Sequence, residues 1–175
     1  MRTTLGRHAH RMNRYAALAV AVIVFFAGSE AAQACSLNRP PSIKASIRHA
    51  DLIVRVTLLA ESAPSDDPDP SSWGVRLRFQ VDEVLKGPPV HEIVLRGIVS
   101  EADDFNDHGP PYRSVRPAGR SGSCYAHEYR VGAHYLLVLG GSPGSWFLNG
   151  PLAPVNEQIR GPDDPWVSWV RKRIK

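Results

Sequence analysis

Cysteine is scarce in this chain of 175 residues: Cys35 and Cys124 are the whole supply, enough for one internal disulfide at most. Long apolar runs are missing too. The longest, Tyr15–Ala27, has 13 residues, whereas a helix needs about 20 to span a bilayer. The signatures of common chemistries are also absent. There is no GxSxG, no P-loop and no GxGxxG. His91-Glu92 and His127-Glu128 each begin like a zinc-protease helix, but Leu95 and Val131 stand where HExxH carries its second histidine. His49, His108 and His134 have no partners at ligand spacing. The acids Glu101, Asp103, Asp104 and Asp107 lack the spacing and the glycine of an EF-hand loop, so they read as a solvated face. Ser121-Gly122-Ser123 has no evident base. These absences leave no catalytic residue to name. The expectation is a protein that is not an enzyme, with no cofactor and no intrinsic metal.

What is present begins with a leader. Arg2, Arg7, Arg11 and Arg14 precede the apolar run, and the polar stretch after it ends in Ala32-Gln33-Ala34. That pattern predicts a signal peptide over residues 1–34, cut between Ala34 and Cys35. The protein is then secreted or periplasmic, with no membrane span after processing. Lipid anchoring at Cys35 is the alternative, although Ala32 and Gln33 are poor matches to a lipobox. Removing 34 of 175 residues leaves 141, a length that suits one domain. It also removes four Arg and Glu30, so 21 basic against 17 acidic residues become 17 against 16, a net charge of +1. The basic balance of the whole chain is therefore no argument for nucleic acid. In an oxidising compartment a Cys35–Cys124 disulfide is the favoured state, against two free thiols or an acylated Cys35. Closing a loop of about 90 residues would stabilise by roughly 4 to 5 kcal/mol.

Residues 35–175 read as short strands separated by turns. Ser42–His49 suits one short helical segment. Asp51–Leu59 is β-branched and apolar enough for a strand buried on much of both faces. Val75, Leu77, Phe79 and Val81 alternate with Arg76, Arg78, Gln80 and Asp82, the period of a half-buried strand. Lys86-Gly87-Pro88-Pro89 turns the chain into His91–Val99, predicting an antiparallel hairpin. Further strands are expected at Val131–Leu139, Ser145–Leu148 and Leu152–Val155. The segments 62–73 and 100–122 read as mobile loops. Asp163 or Asp164 can cap a final helix, with Pro165 at its first position and Trp166 and Trp169 on its packed face. The expected class is mainly β: a five- to six-stranded barrel with a short C-terminal helix. Arg76 and Arg78 face outward, but few aromatics interleave with them. The tryptophans are expected in the core, so no nucleic-acid site is expected.

Three blocks of residues carry a resemblance. Cys35-Ser36, Pro40-Pro41 and Asp51-Leu52-Ile53-Val54-Arg55-Val56 form the first, and Phe79-Gln80-Val81-Asp82-Glu83-Val84-Leu85-Lys86-Gly87 the second. Ser123-Cys124 followed by Tyr135-Leu136-Leu137-Val138 is the third. In order and spacing these resemble the tissue inhibitors of metalloproteinases (TIMPs), in the form of the TIMP-like, netrin-type (NTR) domain of bacterial secreted proteins. The resemblance covers most of 35–140 and implies an OB-fold barrel over 35–175, with Cys35 paired to Cys124. The chain departs from the family at Leu37, where a cysteine is usual, and lacks the remaining disulfide cysteines.

The resemblance implies a protein-binding module whose partner is unknown. It also implies an alternative, inhibition of a zinc metalloprotease. Cys35 would then offer its α-amine and carbonyl to the protease's zinc, and Ser36 would enter the specificity pocket. An enzyme using the 100–122 loop is the weaker alternative.

Overall fold

Three fully buried residues, Leu52, Ile53 and Val54, open the strand around which the sheet is built, β1 (Leu52–Glu61). It lies between β2 (Val75–Lys86) and β5 (His134–Ser142), antiparallel to both. The computed structural model describes residues 42–61, 73–120 and 124–174. The leader, Ala34, Cys35, Ser36 and most of the 62–73 loop lie outside the described residues.

The period of two sorts side chains into two cores. Leu52, Val54, Val56 and Leu58 of β1 point inward with Leu77, Phe79, Tyr135 and Leu137. Ile53, Leu136 and Val138 point to the other face. There they pack under α1 (Ile43–His49) and α2 (Pro165–Arg171). Polar Arg55 and Thr57 then take over the outer face of β1. The β1–β2 ladder is irregular: Val56 pairs with Val81 and Arg55 with Glu83, so Asp82 is an extra residue. Such bulges bend a strand and increase its twist. The extra residue aims Asp82 at Thr57, whose hydroxyl donates to it at 2.9 Å.

The sheet runs β4-β3-β2-β1-β5-β6, with β3 at Glu92–Val99, β4 at Glu128–Tyr129 and β6 at Ser145–Leu148. A further strand, β7 (Asn156–Ile159), shares the second edge of β5 with β6. The protein is mainly β with a short C-terminal helix, as expected. The count of five or six strands is corrected to seven among the described residues. The expected strand at Leu152–Val155 also moves to 156–159. Asn156, Glu157 and Gln158 look like loop residues, yet all are buried. β4 has two residues, too few for any periodicity. Asp164 caps α2, its carboxylate accepting from the Trp166 amide at 2.9 Å.

Segment 100–120 has little regular structure but is fastened from inside. Arg116 is fully buried. Its Nε donates to the Asn156 carbonyl at 2.9 Å, and its Nη2 to the carbonyls of Ala126 and Glu128 at 2.8 and 2.7 Å. Nη1 pairs with Asp104. The guanidinium also lies 5.1 Å from the Tyr129 ring centroid and 5.4 Å from that of Tyr135. Glu101, Asp103 and Asp107 are exposed, as expected of a solvated face, and Asp103 and Asp107 pair at the surface with Arg130 and Arg120; Asp104 is corrected, being drawn in to the buried Arg116. Burying a charge is costly unless it is paired and hydrogen-bonded, which explains this density of partners.

Glu157 is the other buried ionisable group. It accepts from Asn106 Nδ2 at 2.9 Å and from the Arg116 amide at 3.0 Å. Burial pushes its pKa up to about 7, from an ordinary value of 4.5. Between these values the folded state holds a proton that the unfolded state has released. The Glu157 contribution to stability is therefore greatest in mild acid and is lost as pH rises through about 7. Glu157→Gln should remove that loss. The Tm of the variant relative to wild type should rise by roughly 5 °C between pH 5 and pH 8. Parallel Tm curves from differential scanning calorimetry would show that Glu157 does not titrate in this window.

Candidate functional site

The sheet curls until β3 approaches β6 without a ladder between them among the described residues. A cleft of about 450 Å³ occupies this seam. Val94, Leu95 and Arg96 of β3 form one wall, and Trp146, Phe147 and Leu148 of β6 the other. Trp73, Arg76, Tyr125, His127 and Gly144 complete it.

Each side chain arrives by a local rule. Gly74 adopts φ +67, a conformation that favours glycine, and a Cβ there would lie 2.6 Å from the Gly97 carbonyl oxygen. Gly97 is held by a different constraint: a Cβ on it would lie 2.7 Å from Leu77 and from the Tyr129 ring. The two glycines let the turn carrying Trp73 and the strand β4 close on β3. Ile98 donates to the His127 carbonyl at 2.8 Å, which holds His127 at the seam. Trp73 covers its ring, centroids 4.4 Å apart, and Tyr125 lies 5.5 Å away. Burial and the nearby Arg116 charge push the His127 pKa below the ordinary histidine value, so the ring is neutral at neutral pH. Its buried Nδ1 has no hydrogen-bond partner among the described residues.

Trp73 and Phe147 are 52% and 55% exposed, large rings held at the surface on opposite sides of the cleft. Arg76 and Arg96 lie directly opposite each other on β2 and β3. Like charges in that arrangement repel. No acid is among the lining residues. The cleft therefore offers flat apolar faces, with Arg76 and Arg96 in its wall.

The tryptophans were expected in the core. Trp166 is fully buried there and Trp146 and Trp169 pack against core clusters, but Trp73 is exposed beside the cleft, which corrects the expectation for that residue. The cleft itself was missed, because its aromatics come from three segments that only the fold brings together. The Trp146-Phe147 pair was the available signal: adjacent rings on one strand point to opposite faces, so one must leave the core.

Of the sequence-predicted site residues, Ala34, Cys35 and Ser36 lie outside the described residues. Cys124 is half-buried and is not a free thiol. It adopts φ +66, uncommon for a residue other than glycine, and its carbonyl accepts from the Leu152 amide. It directly precedes Tyr125 in the cleft wall. His134 Nδ1 and the Thr57 hydroxyl are 2.8 Å apart on the outer face of the sheet, and the Asp82 carboxylate lies 2.9 Å from that hydroxyl and 3.6 Å from the same Nδ1. His108 stands 3.6 Å from Asp107. Among the described residues no three His, Cys, Asp or Glu side chains converge to hold a metal ion. Comparison with family models, curated proteins and solved structures found no match to the chain.

The geometry separates rings that hold the fold from rings that face a ligand. Trp73→Ala and Phe147→Ala should each stay within about 0.5 kcal/mol of wild type in urea unfolding, as surface changes do. Trp146→Ala, which removes a ring packed on the inner core, should cost roughly 2 kcal/mol or more. A comparable cost at Trp73 would assign that ring to the core instead.

Proposed function

We propose that this protein acts by binding, as an exported TIMP-like module that takes a segment of a protein partner into the largely aromatic cleft between β3 and β6. The observation that carries this reading is the pair of exposed rings, Trp73 and Phe147, that line the same cleft. The proposed architecture is the partly open, OB-type barrel of the TIMP and netrin-like domains. Its support is positional. The cleft falls on strands β2 and β3, the end of the β1–β2 connection and the β5–β6 turn, the region where OB-type barrels take ligands. Export rests on the leader pattern in residues 1–34.

A second reading concerns the amino terminus that export would create. In it, Cys35 pairs with Cys124 and presents its amine, with Ser36, to the zinc of a metalloprotease. The state and position of Cys124 favour it: the residue is not free and adjoins Tyr125 of the cleft. A disulfide holds two Cα atoms within about 4.4 to 6.8 Å, so the wedge would stand beside the cleft and could share its partner.

A photo-reactive phenylalanine at Phe147 should cross-link to a partner in the exported fraction, whereas the same group at exposed Val131 should not. Equal adducts from both positions would remove the cleft from the binding surface. For the second reading, the intact mass should correspond to a chain starting at Cys35, with no free thiol until reduction. Acetylating its amine should then abolish zinc-protease inhibition. A lipid-sized mass on Cys35, or a later start, would end that reading.

A further inference from the structure

Two cations from α1 and two from the end of α2 converge on one hollow of the surface. Lys44 and Arg48 stand one turn apart on α1, and Lys172 and Arg173 follow α2. These four residues line the hollow. Six other arginines, Arg55, Arg78, Arg116, Arg120, Arg130 and Arg171, each lie within salt-bridge distance of a carboxylate. Among the described residues none of the four cations of the hollow has such a partner. Arg173 lies 3.6 Å from the Trp169 ring centroid and donates to the Trp169 carbonyl at 2.9 Å, contacts that leave its charge uncompensated.

Helix dipoles explain part of this arrangement. Arg48 lies in the last turn of α1 and Lys172 at the C-cap of α2, where cations are favoured. Lys44 lies in the first turn of α1, where the dipole disfavours a cation. Its place is better explained by the hollow than by the helix.

The rim shows which anion fits. Ile43, Trp169 and Ile174 are half-buried beside the cations, packed on the outer core with their remaining surface exposed. A small soluble anion would use the cations and leave this apolar rim idle. A single-stranded nucleic acid would need an open aromatic face. Trp169 has none to offer, with Trp166 stacked 5.0 Å away and Arg173 over the ring. Cations bordered by a tryptophan and aliphatic side chains suit the boundary between lipid headgroups and acyl chains.

We propose that the α1–α2 face docks on a membrane surface rich in anionic headgroups. Lys44, Arg48, Lys172 and Arg173 meet the headgroup phosphates, and Ile43, Trp169 and Ile174 rest at the acyl boundary. The contact is peripheral: among the described residues no helix is long and apolar enough to cross a membrane.

Vesicle co-sedimentation of the protein recovered from the exported fraction tests this. Binding is expected to vesicles of phosphatidylcholine mixed with phosphatidylglycerol, to be weak on phosphatidylcholine alone, and to fall as salt is raised. Each cation at such a surface is worth roughly fivefold in affinity, so Lys44→Gln with Arg48→Gln should weaken binding roughly 25-fold. Lys172→Gln with Arg173→Gln should do the same from the other helix, with Tm checked for both pairs. Equal affinity for the two vesicle types, or wild-type affinity in both double variants, would overturn the proposal. Capture on heparin without vesicle binding would also overturn it and assign the hollow to a soluble polyanion.

Discussion

The guanidinium of Arg116 is fully buried, and its donors reach β4, Ala126 just ahead of it, β7 and Asp104. Those partners belong to elements far apart in the chain. β4 and β7 stand on opposite sides of the sheet order, and no ladder joins them among the described residues. Arg116 joins them with side-chain bonds, assisted by Asn156, whose amide donates to the Ala126 carbonyl and to the Tyr129 hydroxyl. Removing one partner from a buried ionic network costs far more than the network contributes net, because the remaining charge is stranded. Segment 100–120 therefore has a defined path without regular structure.

Closure by side chains also explains the opening. Where Arg116 and Asn156 draw β4 to β7, the curled sheet is stitched. Where β3 faces β6 no ladder is found among the described residues, and the cleft lies between the two walls. The elements meet at His127: its carbonyl anchors β3, its ring lines the cleft, and the Arg116 charge helps keep that ring neutral. The cleft and the fastening of the sheet thus share a boundary.

The opposite face of the sheet follows a different logic. Tyr112, Trp166 and Trp169 stack in succession with centroids 4.6 and 5.0 Å apart, and Arg173 closes the series. This column ties segment 100–120 to α2 and ends at the basic hollow. The aromatic content of the chain is thereby divided between a core column under the helices and a cleft at the seam.

Much of this could be read from local pattern. The alternation over Val75–Val81, the apolar run of β1, the turn at Gly87 and the Asp164-Pro165 cap are properties of neighbours along the chain. Period and capping act over a few residues. β7 was not legible, because Asn156, Glu157 and Gln158 are polar and only their tertiary partners make their burial tolerable. The cleft was not legible for a related reason: Trp73, Arg96, His127 and Phe147 lie on four segments, and no local period relates them. Sequence by itself determined a mainly β chain, the order of most of its strands and its C-terminal helix. The tertiary structure alone decided which polar residues are buried, where the sheet stays open, and which rings and cations face outward together, since each of these depends on contacts between residues distant in the chain.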